Sequence, residues 1–213
     1  MKVLISAFEP FGGEAINPSS LILEQLSNHI GAFEIVKILL PVTFNESSEK
    51  LSQAIQAHQP DFVLSLGQAG GRSGISIEKI GINLNEAPIP DNAGQQPRNE
   101  SISPSHPDGY FSTLPIDQML KSCKEACVPC YLSYSAGTYV CNHVLFSSLA
   151  FINEHQLNCK SGFVHIPFLP EQVIDKPNQP SMSLDLMIQG IQCMIESFEN
   201  IGGVEFTGKG FTH

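Results

Sequence analysis

Basic residues are scarce in this sequence. Its 213 residues include 11 lysines and arginines against 21 aspartates and glutamates, which gives a formal net charge of −10 at pH 7. Nucleic acids and anionic membrane surfaces are bound through clustered lysine and arginine side chains. The scarcity therefore argues against both classes of partner.

Long apolar runs are also absent. No stretch approaches the roughly 20 residues that a membrane-spanning helix needs. The opening MKVLISAF is too short for the apolar region of a signal peptide, and it meets a turn at Glu9-Pro10. We therefore expect a first strand here and a cytoplasmic protein, whose six cysteines are free thiols in a reducing compartment.

Repeats and low-complexity tracts are missing as well. Hydrophobic residues make up 42% of the chain and charged residues 15%, which is typical of a globular protein. The length favours a single domain over residues 1–213. Within it, we expect the tail at 203–213 to be irregular.

The pattern of apolar residues alternates between the periods of strands and helices. Strands are predicted at 3–8, 34–40, 61–66, 130–134 and 162–166, with a strand or hairpin at 75–84. Helices are predicted at 21–30, 44–57, 116–125, 142–155 and 182–198. The Pro- and Asn-rich segment 85–109 is predicted to be one long loop, the kind that often covers a functional site.

This alternation predicts an α/β domain with a mostly parallel, twisted sheet and helices on both faces. Ligands bind beyond the carboxyl ends of the strands in such sheets. The loops of interest are therefore those that follow Phe8, Leu66, Tyr134 and His165.

Cys141 lies in SAGTYVCNHVLF, where an extended segment passes into a helix. The unpaired N–H groups and the positive dipole at a helix start favour the thiolate form of a cysteine. A free cysteine is also a common small core residue. At this junction, a nucleophile and a packing residue are about equally favoured.

A cysteine nucleophile needs a histidine base. His143 follows on the same helix and projects away from Cys141, and His155 lies too far along that helix to reach it. His165 instead ends a predicted strand at the edge where ligands bind, so it is the preferred candidate, although a histidine in a strand is more often a core residue.

The orienting group for the imidazole should be a carboxylate or an amide. Glu78 lies within the alternating segment ISIEKI, Glu171 in LPEQV and Asp91 in PIPDN. The periodicity does not choose among these three.

The glycine-rich segment GQAGGR lacks both the GxGxxG order and the lysine of a phosphate-binding loop, so no nucleotide site is expected. Its glycines would instead let the backbone approach a ligand closely.

A second cysteine pattern, C-x3-C-x2-C at Cys123, Cys127 and Cys130, is compatible with an iron–sulfur cluster and resembles the signature of the radical S-adenosylmethionine family. Two of the three fall on or next to a predicted helix rather than on a wrapping loop, which favours ordinary thiols and no bound metal.

Several motifs together resemble pyroglutamyl peptidase type I, also called pyrrolidone carboxyl peptidase, in that family's chain order. The resemblance covers the chain from Met1 to the last long helix and rests on FEPFGG with Asn17-Pro18, GQAGGR, Glu78, IPDNAGQQP, YFSTLP, SAGTYVCN, FVHIPFLPEQ and PSMSLD.

This resemblance implies a cysteine peptidase that removes the amino-terminal pyroglutamyl residue from small peptides without a cofactor. It assigns the nucleophile to Cys141, the base to His165 and the orienting carboxylate to Glu78. It places the pyroglutamyl ring against Phe8 and Phe11, with lactam contacts near Gln68 and Val140. By analogy alone, it also implies a homotetramer.

The sequence departs from the family pattern at one position. Where family members read N-D-A-R-I-P-D, this chain has Pro88 in place of the arginine, and proline has no N–H to donate. Loss of one oxyanion donor costs roughly 10²–10³ in turnover unless other groups take its role. The departure raises the alternative of a weak or catalytically silent relative that binds pyroglutamyl peptides.

Overall fold

A computed structural model describes residues 1–200, so the tail predicted at 203–213 lies outside the described residues. The strands are β1 (Lys2–Phe8), β2 (His29–Ile30), β3 (Phe33–Leu40), β4 (Phe62–Gln68), β5 (Ile75–Glu78), β6 (Ile80–Ile82), β7 (Gly109–Phe111), β8 (Cys130–Ser133) and β9 (Lys160–Ile166). The helices are α1 (Pro18–Gln25), α2 (Glu46–His58), α3 (Ile116–Glu125), α4 (Val140–Glu154) and α5 (Leu184–Glu196), with 3-10 turns at Pro170–Val173 and Ser197–Asn200.

Seven strands form the central sheet, in the order β2-β3-β1-β4-β9-β5-β8. Neighbouring strands are parallel except at the β2–β3 and β5–β9 pairs, which are antiparallel. The predicted mostly parallel sheet is therefore confirmed. The remaining strands, β6 and β7, form a separate antiparallel pair.

Two hydrophobic clusters cover the two faces of the sheet. Alternate residues of β1 point to opposite faces: Val3 and Ile5 pack with α1, α3 and α5, while Leu4 and Phe8 pack with α2 and α4. The predicted α/β domain with helices on both faces is confirmed for the described residues. Among them, no helix has the length and apolar character needed to cross a membrane.

Two local predictions are wrong. The helix predicted at 21–30 ends at Gln25, and His29–Ile30 is instead a short strand that pairs antiparallel with β3, because Ile30 is buried against the core there. The segment 75–84 contains two strands that belong to different sheets, since the chain leaves the central sheet at Lys79.

The carboxyl ends of β1 and β4 separate from each other. Their pairing stops at Ser6 and Ser65, whereas β4 stays paired with β9 as far as Gln68. The N–H of Phe8 donates to the hydroxyl of Ser19, at 3.2 Å, rather than to β4. After β1 the chain continues to β3, toward one edge of the sheet, and after β4 it continues to β5, toward the other edge. The gap between β1 and β4 is therefore the topological switch point, the place where α/β sheets bind ligands.

Candidate active site

Glu78 and His165 meet between the antiparallel strands β5 and β9. His165 lies opposite Ser76 and Glu78 lies opposite Phe163, so the two side chains project from the same face two residues apart. His165 Nδ1 is 2.7 Å from Glu78 Oε1. His165 is only 3% exposed and Glu78 is 0% exposed, so both side chains are shielded from solvent.

Cys141 lies in the first turn of α4, which starts at Val140 after the extended residue Tyr139. Its Sγ packs over Gly67: a Cβ built on this glycine would lie only 2.9 Å from the sulfur. Gly67 is the register partner of His165 in the parallel β4–β9 pair. The sulfur is thus beside the strand position that carries the imidazole.

The two rival carboxylates do not contact His165. Asp91 is buried and accepts hydrogen bonds from the backbone N–H groups of Phe44, Ala93 and Gln95, so it stabilises its own loop. Glu171 is exposed in a 3-10 turn. Of the three carboxylates that the periodicity left open, the structure brings to the imidazole Glu78, which the family resemblance also assigns.

Arg72 is a member of this cluster that the sequence reasoning missed. Its Nη1 is 2.6 Å from Glu78 Oε1 and its Nη2 donates to the carbonyl of Ser135 at 3.1 Å. The available signal was Glu78 itself, because a carboxylate inside an apolar strand needs a cation if it is buried. The glycines of GQAGGR by themselves do not indicate this role of its arginine.

The surroundings of Glu78 and His165 shift the pKa values of both groups. Burial alone would raise the pKa of Glu78, but the hydrogen bond and charge of His165, with smaller effects of Ser133 and Arg72, lower it. Burial lowers the pKa of His165, against the opposing effect of Glu78.

The pKa of the Cys141 thiol differs from the sequence expectation, in which the helix start favours the thiolate. Burial, together with the charge of Glu78, raises the pKa of Cys141 to about 12, against the opposing effects of Arg72 and the backbone amide. Burial therefore outweighs the helix start. These shifts favour an ionised Glu78, a neutral His165 and a neutral Cys141 in the resting site.

The residues predicted to bind substrate lie along the same carboxyl edge. The Phe8 ring is buried against Phe163, with ring centroids 6.2 Å apart, and the half-buried Phe11 lies 6.2 Å from the Tyr139 ring. Val140 is buried at the first position of α4.

Gln68 ends β4, and its side chain points to the face of the sheet opposite to the one on which Cys141 packs over Gly67. Its Oε1 accepts a hydrogen bond from Gln172 Nε2 at 2.8 Å, which anchors the amide. The backbone of the next residue, Ala69, donates to Ile166 in β9. The backbone groups of Gln68 therefore face the opposite side, toward the gap left by β1.

The three cysteines of the C-x3-C-x2-C pattern lie apart from this site. Cys123 is fully buried on α3, Cys127 is exposed and Cys130 begins β8; all three are free thiols. Within residues 1–200, no group of three His, Cys, Asp or Glu side chains is arranged to hold a metal ion. Cys123 instead packs in the core, where its thiol contacts the carbonyl of Gly190.

Comparison with known proteins gives matches over most of the chain. The family model described as pyroglutamyl peptidase matches residues 1–200. The pyrrolidone-carboxylate peptidase 1 of Caldanaerobacter subterraneus subsp. tengcongensis is 48% identical over 196 residues, or 92% of this chain and 97% of the relative. The pyrrolidone-carboxylate peptidase of Enterococcus faecalis is 47% identical over 197 residues, or 92% of each chain.

Solved structures give the same assignment. The crystal structure of pyroglutamyl peptidase I from Bacillus amyloliquefaciens superposes with a TM-score of 0.90 at 41% identity, over 92% of this chain and 94% of that one. A variant pyrrolidone carboxyl peptidase from Pyrococcus furiosus gives a TM-score of 0.90 at 41% identity, over 94% of this chain and all of the other. The resemblance predicted from the sequence motifs is confirmed: the chain belongs to the pyroglutamyl peptidase family of cysteine-type hydrolases.

Proposed function

We propose that this protein is a cysteine peptidase that removes the amino-terminal pyroglutamyl residue from small peptides. Membership of the family supports this activity. The observation that carries the mechanism is the buried hydrogen bond between His165 and Glu78, beside the sulfur of Cys141. We assign Cys141 as nucleophile, His165 as general base and acid, and Glu78 as the orienting carboxylate.

The first chemical step transfers a proton and forms a bond. Glu78 Oε1 can only accept, so Nδ1 of His165 carries the hydrogen and Nε2 is left as the base. Because the resting thiol is neutral, Nε2 takes its proton as Cys141 Sγ attacks the carbonyl that joins pyroglutamate to the next residue. The imidazolium that forms is stabilised by the charge of Glu78.

Collapse of the tetrahedral intermediate completes the reaction. The C–N bond breaks as His165 protonates the leaving amine, and water then hydrolyses the thioester to regenerate the thiol. The first amides of α4, including that of Cys141, have no intrahelical acceptor, so they are suited to stabilise the oxyanion.

The switch-point gap between β1 and β4 suits a lactam. Pyroglutamate presents one amide N–H and one carbonyl but no ammonium charge, and the backbone groups of Gln68 that face the gap can pair with such an amide. We propose that Phe8 and Phe11 enclose the ring and that the backbone near Val140 makes a further contact with the lactam. An ordinary charged amino terminus would be desolvated against apolar groups here and is therefore rejected.

Pro88 supports a second candidate, a relative that binds pyroglutamyl peptides without cleaving them. It is exposed on the loop at 85–109, which contacts the segment before Cys141. The Thr138 hydroxyl donates to the carbonyl of Glu86 at 2.8 Å, and the Tyr139 hydroxyl to that of Pro90 at 3.0 Å. A guanidinium at position 88 is the group that this chain lacks.

Hydrolysis of a pyroglutamyl arylamide tests the proposal. We expect the wild type to release the arylamine, Cys141→Ser to release none, and Cys127→Ser, at an exposed thiol, to match the wild type. Activity that persists in Cys141→Ser would refute the nucleophile. Saturable binding of the substrate by the wild type without turnover would establish the silent relative instead.

The chain length supports a single domain over residues 1–213, and the free cysteines support a cytoplasmic location; we propose both. By family analogy alone, we also propose a homotetramer. Sedimentation of the purified protein tests the last, since a monomer at micromolar concentration would contradict it.

A further inference from the structure

One oxygen atom of Glu78 carries two charged hydrogen bonds. Oε1 accepts from His165 Nδ1 at 2.7 Å and from Arg72 Nη1 at 2.6 Å. The other oxygen, Oε2, is buried without a hydrogen-bond partner among residues 1–200. The guanidinium and the imidazole therefore share the same acceptor, and the position of one affects the other.

The second arm of Arg72 reaches a different segment. Its Nη2 donates to the carbonyl of Ser135 at 3.1 Å. Ser135 begins the segment SAGTYV, which leads directly into α4 and Cys141. A planar guanidinium holds two acceptors in fixed relative positions, which an ammonium does not. Arg72 thus links the end of β5 to the segment that sets the start of the nucleophile's helix.

The burial of Arg72 distinguishes it from a surface ion pair. Its side chain is only 21% exposed and that of Glu78 is 0% exposed. The chain has one other arginine, Arg98, whose side chain is 61% exposed and lies 3.8 Å from Glu86. Exposed pairs of that kind contribute little to stability, whereas removal of one partner of a buried pair leaves an uncompensated charge.

We propose that Arg72 is a positioning residue of the reaction: one arm holds Glu78 Oε1 against His165 while the other fixes the segment before Cys141. This inference rests on the proposed function for its kinetic consequences. Arg72 contacts neither reacting atom, and it acts through Glu78 and Ser135. It also supplies a positive charge that opposes protonation of His165.

Two substitutions separate the effect of the Arg72 charge from that of the fork, the pair of hydrogen bonds that its guanidinium donates to Glu78 and Ser135. Arg72→Gln removes the charge, and because Arg72 lowers the pKa of His165, we expect that pKa to rise and the acidic limb of kcat/KM to move to higher pH. We expect kcat to fall about 10²-fold, the usual effect of a small misplacement of reacting groups, with a smaller change in KM. Arg72→Lys keeps the charge, so the acidic limb should stay near that of the wild type while kcat still falls.

The titration of His165 can be followed without turnover. Its resonance in ¹³C-histidine NMR spectra is assigned by its loss in His165→Gln. We expect an upward shift of the titration midpoint in Arg72→Gln, a smaller one in Arg72→Lys and none in the matched control Arg98→Gln, which should also keep wild-type kinetics. A purely structural role would lower the thermal stability of the Arg72 variants without moving this midpoint.

Wild-type kcat in either Arg72 variant, or an unmoved His165 midpoint in Arg72→Gln, would overturn the inference. If Arg72→Gln does not fold, the kcat of Arg72→Lys decides the role of the fork by itself. An inactive wild type would instead contradict the proposed function, and the titration would still decide whether Arg72 acts on His165.

Discussion

His165 Nδ1 lies 2.7 Å from Glu78 Oε1, and the exposed fraction of each side chain is at most 4%. Because a carboxylate oxygen can only accept, this contact keeps a hydrogen on Nδ1 of the neutral imidazole and leaves Nε2 without one. In the mechanism proposed above, the same carboxylate also stabilises the imidazolium that forms during attack.

The first prediction concerns this contact. Glu78→Gln keeps the size of the side chain but removes its charge, so the imidazolium formed during attack loses its partner. We expect kcat for a pyroglutamyl arylamide to fall on the order of 10³-fold. The matched control is Glu171→Gln, at an exposed glutamate with no contact to His165, which should keep wild-type kcat. Equal losses in both variants would contradict the assignment.

The second prediction concerns the resting thiol. Because burial raises the pKa of Cys141 to about 12, the free enzyme contains little thiolate at neutral pH. We expect the rate of inactivation by iodoacetamide to rise continuously from about pH 7 to about pH 9. The rise should therefore continue beyond about pH 8.5, the pKa of an ordinary cysteine. The measurement is residual activity against time at each pH. A plateau reached below about pH 7 would show that a thiolate–imidazolium pair already exists.

The third prediction concerns Gly67. A Cβ at this position would lie 2.9 Å from Cys141 Sγ and 2.7 Å from the Phe163 ring, so Gly67→Ala must displace the nucleophile or its neighbour. We expect kcat/KM to fall at least tenfold, with a loss of about 1–3 kcal/mol in the free energy of unfolding.

Gly190→Ala is the matched control for this steric effect. A Cβ on Gly190 in α5 would lie 2.6 Å from Ile75 Cδ1, on the face of the sheet away from Cys141. We expect a similar loss of stability with normal kcat/KM per folded molecule. If both alanine variants keep full activity, the sulfur does not depend on the space at Gly67.

The fourth prediction concerns His143 and acid stability. Its Nδ1 is 3.1 Å from Asn85 Oδ1, and its Nε2 accepts the N–H of Asn45 at 3.3 Å, so a proton on Nε2 would oppose a donor. Burial lowers the pKa of His143 to about 4. The folded pKa lies below the unfolded value, so the stability that depends on neutral His143 is present above about pH 6.5 and is lost as the pH falls toward 4.

We expect this loss to be on the order of 3 kcal/mol in the free energy of unfolding, measured by urea denaturation between pH 7 and about pH 4. In His143→Gln the corresponding part of the pH dependence should be missing, whereas the exposed His155→Gln should behave as the wild type. Parallel pH profiles for wild type and His143→Gln would disprove the role of His143.

The fifth prediction concerns Pro88. The resemblance to the family places arginine here, and Pro88 is exposed on the loop whose Glu86 and Pro90 carbonyls accept from Thr138 and Tyr139. We expect Pro88→Arg to raise kcat by up to about 10²-fold with little change in KM, because an added cation stabilises the oxyanion rather than the bound substrate. Ile174→Arg, at an exposed position, is the control for added charge. Unchanged kcat would mean that backbone donors already carry this role.

The sequence was most informative where structure depends on neighbours a few residues apart. Apolar periodicity located the main strands and α3. The predicted bounds of α3, 116–125, agree with the structure at both ends. It was least informative where pairing with a distant strand overrides local preference, as at His29–Ile30, which continues a helical pattern but pairs with β3.

For the site, the sequence by itself determined the residue types, the motifs that identify the family, and the expectation that they meet at the carboxyl edge of the sheet. Only the tertiary structure showed that the Glu78 carboxylate is buried against His165, that Arg72 shares the same oxygen, and that burial raises the pKa of the Cys141 thiol. The physical reason is that these relationships depend on strand order, on register and on how far a group is removed from water. Those quantities are set by packing between segments far apart in the chain, and no local pattern records them.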